Sequence, residues 1–162
     1  MGHKPFWVIA DHLTKNGYAV LRVDDRGTGS STGNMNQATS EDLMQDAEAA
    51  LNFLRQQPMT DAAHTGLLGH SEGGLLAPML AAKRKDIDFI ILLAAPGVPG
   101  VDLMTEQNVA LIKGNGLSAE AADGYAILYR RMIRAVLTAS DSASAADGLK
   151  KAFEEWLAAT DS

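Results

Sequence analysis

Gly69-His70-Ser71-Glu72-Gly73 follows the apolar run Thr65-Gly66-Leu67-Leu68 and precedes the helix-forming run 74–83, in which Leu75, Leu76, Met79 and Leu80 are apolar. A serine with a glycine two residues to either side, between a strand and a helix, is the sequence form of a nucleophile elbow. The serine backbone there takes a strained turn that lifts its Oγ out of the sheet, and the glycines remove Cβ atoms that would collide across it. The amide of Glu72 then opens a helix whose positive end points toward any oxyanion formed where Ser71 attacks. Without the flanking strand and helix, the same five residues are a glycine-rich turn with an idle serine.

A second segment agrees with the first. Tyr18-Ala19-Val20-Leu21-Arg22-Val23 alternates as a strand over 18–24 and empties into Asp24-Asp25-Arg26-Gly27-Thr28-Gly29-Ser30-Ser31-Thr32-Gly33. In open α/β sheets ligands bind beyond the carboxyl ends of parallel strands, so this loop and the elbow are expected on one rim. Gly27-Thr28-Gly29 lacks the third glycine and the immediate helix of a dinucleotide fingerprint, and Asp24 and Asp25 repel a pyrophosphate. Asp25 and Arg26 read first as braces of the loop, with Arg26 also a candidate substrate contact.

Periodicity supplies the remaining elements: helices at 4–16, 41–56 and 72–84, and strands at 65–70 and 88–95. The first helix carries Phe6, Ile9 and Leu13 on one face. The second has Thr39 and Ser40 as candidate caps, Glu41 and Asp42 in its first turn, and a stripe of Leu43, Ala47, Ala50, Leu51 and Leu54. Pro78 deletes a hydrogen bond inside the elbow helix and is expected to bend or loosen it. Phe89-Ile90-Ile91-Leu92-Leu93-Ala94-Ala95 is apolar throughout, as expected of a parallel strand covered on both faces. Pro96-Gly97-Val98-Pro99-Gly100 then punctuates the chain, and helical patterns follow at 102–113, 118–138 and 144–159. The second of these aligns Ala121, Tyr125, Leu128, Met132 and Val136, and the third is expected to be capped by Ser144 with Asp147.

This order of strand, Asp-Asp-Arg-Gly-Thr-Gly-Ser loop, capped helix, strand, Gly-His-Ser-Glu-Gly-Gly, helix and strand resembles the middle of the α/β-hydrolase fold over about residues 3–100. It is most similar to bacterial serine esterase or peptidase-like hydrolases. The resemblance implies a partial α/β-hydrolase core over 1–100, a parallel sheet flanked by helices, and a helical cap (lid) segment over 101–162. It also implies Ser71 as nucleophile, the Glu72 amide in the oxyanion hole, a small-molecule acyl substrate transferred to water, and no cofactor. His70 and Glu72 hold variable positions of the motif, so their side chains are not implied as catalytic. His70, His3 and Arg26 are the candidate substrate contacts.

No histidine follows Ser71. In the resembled fold the triad runs Ser, then Asp or Glu, then His along the chain, so the base is expected beyond Ser162. Among the histidines present, His64 starts its strand at the end opposite the elbow, His12 lies on a helix, and His3 alone has a claim to the rim. Asp102 and Glu106 follow the last strand and are the stand-ins for the usual acid. The strand that belongs between 18–24 and 65–70 has no segment to form it, leaving backbone donors and acceptors unpaired on either side. The 162 residues therefore read as part of a longer protein. The competing account is a strand-donating partner chain or a swapped homo-oligomer.

Composition sets outer bounds. A chain of 162 residues with 46% hydrophobic content is long enough to bury a core. A net charge of −6 with no basic run disfavours nucleic acid. No apolar stretch reaches membrane-spanning length, and the acidic chain reads as soluble, with the bacterial cytoplasm, the periplasm and the exterior all open. Zero cysteines exclude disulfides within the chain, and the four histidines lack metal-ligand spacing, so no metal is expected. Two functional readings stand: a serine hydrolase acting on carboxylic esters, with amides and thioesters open, and a non-catalytic fragment or binding and scaffold module of the same fold.

Overall fold

The two apolar runs read as strands pair with each other in the computed structural model, which describes residues 4–160. Strand β1 (Gly66–His70) lies parallel to β2 (Phe89–Leu93), in register from Gly66 opposite Phe89 to His70 opposite Leu93. Parallel strands need a crossover connection. Helix α3 (Gly73–Lys83), third after α1 (Pro5–Lys15) and α2 (Ser40–Arg55), supplies it. It buries Gly74, Leu76, Ala77 and Leu80 and runs uninterrupted through Pro78.

The core of this first unit forms where α2, α3 and β1 bring their apolar positions together: Met44, Leu76 and Leu80 are buried, with Leu43, Ala47, Leu67 and Ile87 packed against them. Leu80 is the deepest, at 1% exposure, and burial of such a side chain stabilises by about 1.5–3 kcal/mol. Helix α2 starts on a capping box. Thr39 Oγ1 accepts from the Asp42 amide at 3.2 Å and Asp42 Oδ2 accepts from the Thr39 amide at 2.9 Å. Of its predicted stripe Leu51 is buried, and Met44, outside that stripe, is buried with it.

Two expectations need correction. Residues 18–24 form no strand: they join no ladder among the described residues, and Tyr18, Val20 and Val23 are exposed. Alternation alone does not make a strand, because its amides and carbonyls need a neighbour to pair with. The described sheet has two strands, and the neighbour that 18–24 requires is not among them. Nor is β2 covered on both faces. Phe89, Ile90, Ile91 and Leu92 are 36–44% exposed, α3 being the one helix in contact with β2 among the described residues.

The chain divides into two compact units between Ala95 and Pro96, so the proline-rich punctuation opens the second unit rather than closing the first. That second unit is helical: α4 (Gly100–Gly114), α5 (Ala119–Thr138) and α6 (Ser142–Thr160). Helix α5 packs against both of the others. Ser118 caps α5 by accepting the Ala121 amide at 3.1 Å. The cap of α6 differs from expectation. The box is formed by Asp141 and Ser144, Asp141 Oδ1 accepting the Ser144 amide at 2.8 Å and Ser144 Oγ accepting the Asp141 amide at 3.2 Å. The helix begins at Ser142, so Ser144 is the third helical residue and the carboxylate before the helix takes the capping position.

The α5 face is also rotated slightly from its sequence reading: Ala122 and Leu128 are buried, while Ala121 and Val136 are exposed. Thr105 of α4 is buried with its hydroxyl donating to the Val101 carbonyl at 2.6 Å. Trp156 Nε1 donates to the Gly124 carbonyl at 3.0 Å, tying α6 to α5. No described helix is long and apolar enough to cross a membrane.

Candidate active site

The chain leaves β1 through Ser71, whose φ of +53° is left-handed, a region that non-glycine residues seldom occupy. The turn is held on both sides. The Ser71 amide donates to the Leu93 carbonyl at the end of β2 at 3.0 Å, and the Ser71 carbonyl accepts from the Gly74 amide at 2.9 Å. Glycine is required at two points around it. A Cβ on Gly69 would overlap the Gly73 carbonyl, and one on Gly74 would lie 2.5 Å from the Ala95 Cβ. Gly73 itself has open space where a Cβ would go, so the second steric requirement of the elbow sits one residue later than the motif reading put it.

Ser71 and Glu72 are both exposed. Among the described residues the Ser71 hydroxyl has no hydrogen-bond partner, and the Glu72 amide makes no backbone hydrogen bond. An unpaired hydroxyl beside an unpaired amide at the start of α3 is an arrangement that can receive a carbonyl group. The Glu72 carboxylate turns aside: its Oε1 accepts from Ser40 Oγ at 3.3 Å, linking the elbow to the start of α2.

The glycine-rich loop 24–33 is tied to the same helix. Arg26 Nε and Nη2 bind the Asp46 carboxylate as a fork, Nη2 also donating to the Asp42 carbonyl at 3.2 Å. That geometry realises the bracing reading of Arg26, whose guanidinium lies between two α2 carboxylates that hold it protonated. Gly27, Gly29 and Gly33 all take positive φ, and Ser31 Oγ closes the loop on the Asp24 carbonyl at 2.8 Å. Elbow and loop are thus both anchored to the first half of α2.

The histidines fall apart from one another. The His70 ring meets the Phe6 ring of α1 edge-on at 5.5 Å, which docks α1 beside the elbow. His64 precedes β1 and pairs through Nδ1 with Asp61 at 2.7 Å, a contact that raises its pKa. His12 is exposed on α1. His3 lies outside the described residues. Asp102 belongs to α4, where it faces Arg130 of α5 at 3.9 Å.

Sequence reasoning missed three features. Ala94, directly after β2, has φ +48°. It turns the chain so that Ala95 seats on Gly74, and alanine carries no signal for that conformation. Ser40 was read only as a cap, and its reach to Glu72 is a non-local contact. The third is the set of side chains closing the opposite end of the sheet. Arg55 Nη1 donates to Thr65 Oγ1 at 2.6 Å and to the Asp86 carbonyl at 2.8 Å. Arg84 grips Asp86 through Nε and Nη2 at 2.8 and 2.6 Å and reaches Glu48 and Asn52 of α2. The Arg84 guanidinium holds the Asp86 carboxyl down at about 2.

Residues 6–120 match the family model described as serine aminopeptidase, S33. The chain is 37% identical over 96 residues to an uncharacterized protein of Rickettsia prowazekii, covering 59% of this chain and 39% of that one. It is 27% identical over 126 residues to the esterase EstD of Thermotoga maritima, covering 78% and 30%. It is 39% identical over 83 residues to the thiohydrolase aneE of Aspergillus aculeatus, covering 51% and 26%. The chain therefore spans between about a quarter and two fifths of the length of these relatives. With the left-handed serine between β1 and α3 and the family match running across it, the chain belongs to the serine aminopeptidase S33 family of α/β-hydrolases.

Proposed function

We propose that these residues form the nucleophile-bearing part of a serine hydrolase acting on carboxylic ester bonds, thioesters and amides being the neighbouring chemistries. The observation that carries the reading is the backbone of Ser71, held left-handed at the carboxyl end of β1 with its hydroxyl exposed beside an unpaired amide. Strained backbone that the surroundings hold in place is characteristic of catalytic positions. In this reading Ser71 Oγ attacks the acyl carbonyl, the Glu72 amide donates to the developing oxyanion, and the alcohol leaves to give an acyl-enzyme that water then cleaves. The serine proton passes to a histidine outside the described residues, which returns it to the leaving group. The names of two relatives, an esterase and a thiohydrolase, favour an acyl–oxygen or acyl–sulfur bond. Residues 101–162 are read as a cap (lid) segment, from their place in the chain after β2. His70 stays a candidate substrate contact through its position beside Ser71, and Arg26 supports the rim.

A second reading has its own observation. No described histidine hydrogen-bonds the Ser71 hydroxyl, and β2 exposes its apolar side chains, as in a module that binds without turnover or awaits a strand-donating partner or a second copy. Exposure to a fluorophosphonate probe separates the two. One adduct per chain, mapped to Ser71 by peptide mass spectrometry and absent in Ser71→Ala, is expected. The same substitution should lower nitrophenyl ester hydrolysis by about a thousandfold or more. An adduct elsewhere, or unchanged turnover, removes Ser71 as nucleophile; a folded protein that takes up no probe favours the second reading.

A further inference from the structure

The helical unit carries a charge pattern that the reaction does not use. Arg26, Arg55, Arg84 and Arg130 each pair with a carboxylate. Arg131 and Arg134, on successive turns of α5, form no salt bridge among the described residues. Both line a groove of about 730 Å³ between α5 and α6, with Lys151 on its other side. Ala135 and Gly148 bring the helices together there: a Cβ on Gly148 would lie 3.0 Å from the Ala135 Cβ. Ala135, Gly148 and Ala152 line it together with the three cations.

One carboxylate, Glu155, also lines the groove, and it lies 3.9 Å from Lys151 with both side chains exposed. An exposed pair at that distance contributes little and leaves the lysine available. Three cations therefore face one open volume against a single acid, in a chain whose net charge is −6. Cations gathered against the sign of the whole chain are a local attraction for an anion. Arginine forks suit the oxygens of a phosphate, which accept two parallel N–H bonds. The volume is in the range of small-molecule sites.

The geometry points to a binding groove for a phosphate-bearing small molecule between α5 and α6, held by Arg131, Arg134 and Lys151. The test is a titration of the purified protein with inorganic pyrophosphate, followed by amide NMR. Saturable shifts at Gly148 and Ala152 are expected. They should weaken about tenfold or more in Arg131→Gln/Arg134→Gln, two exposed positions whose replacement leaves the buried positions intact. Glu155→Gln should tighten binding, and Lys15→Ala, on α1, should leave it unchanged. A linear, non-saturating response, or undiminished affinity in the double variant, overturns the proposal. Sedimentation with phosphatidylglycerol vesicles alongside a non-saturating pyrophosphate response also overturns it, assigning the cations to a lipid surface. Should the double variant fail to fold, Lys151→Gln provides the same comparison.

Discussion

The two ends of the two-stranded sheet are built on opposite principles. At the amino-terminal end every prominent polar group has a partner: Thr65 receives Arg55, its amide donates to Asp88 at 2.9 Å, and Arg84 joins Asp86, Glu48 and Asn52. At the carboxyl end Ser71 Oγ and the Glu72 amide are left without partners among the described residues, beside two left-handed non-glycine residues, Ser71 and Ala94. The first end is satisfied and holds α2 to the sheet. The second leaves hydrogen-bonding capacity open and maintains strain that the surrounding turn must support. Stability and reactivity are thus segregated along the strands, and substitutions at the two ends should behave differently.

The largest effect is expected at the closed end. Arg84→Ala removes a mostly buried guanidinium, takes this partner from Glu48 and Asn52 and leaves Asp86 with Arg55 alone at 3.6 Å; a loss of about 3 kcal/mol in urea unfolding is expected, as for hydrogen bonds to charged groups. A loss below about 0.5 kcal/mol, the level of an ordinary surface change, contradicts the comparison. Thr65→Val keeps the shape but removes the hydroxyl that Arg55 and the Asp86 carbonyl share, and about 1–2 kcal/mol is expected by the same assay.

Acid sharpens the contrast. Asp86 has its folded pKa lowered from 3.8 to about 2, with the Arg84 hydrogen bond the chief cause. A depressed carboxyl stabilises fully above its unfolded pKa and loses that contribution as pH falls through the folded value. Unfolding midpoints should therefore decline between pH 3.8 and about 2, and the decline should be shallower in Arg84→Ala. His64 has the opposite sign: its pKa is raised by Asp61, so its contribution is complete below pH 6.5 and fades as pH rises through the folded value. His64→Gln should abolish that alkaline-side fade.

The smallest change in stability belongs to the open end. Ser71→Ala keeps the same left-handed backbone without removing any bonded hydroxyl, so its unfolding free energy should stay within about 0.5 kcal/mol of the parent. A loss of several kcal/mol in the same urea experiment means that the hydroxyl is a structural ligand, and the two ends are then alike.

Much of this was readable from the residues. Helix α2 announced itself through Thr39, Asp42 and its stripe, because a cap and a 3.6-residue period are local properties. The elbow announced itself through Gly69, whose missing side chain the turn needs. Other features had no local signal. Val20 and Val23 have the composition of a strand yet stay exposed and unpaired, since a ladder depends on a neighbour far along the chain. The exposure of β2 follows from what packs on its faces, α3 alone among the described helices, rather than from Phe89, Ile90 or Leu92 themselves.

What the sequence alone determined is therefore the helices, the two strands that pair and the sharp turn at Ser71, since these rest on side-chain period, capping hydroxyls and carboxylates, and the absence of a Cβ. What only the tertiary structure decided is which groups found partners. Arg84 closes one end of the sheet, Ser40 reaches the elbow, Ala94 accepts a left-handed backbone, and Arg131 and Arg134 form no salt bridge among the described residues. Those outcomes depend on contacts between residues far apart in the chain, which no local pattern encodes.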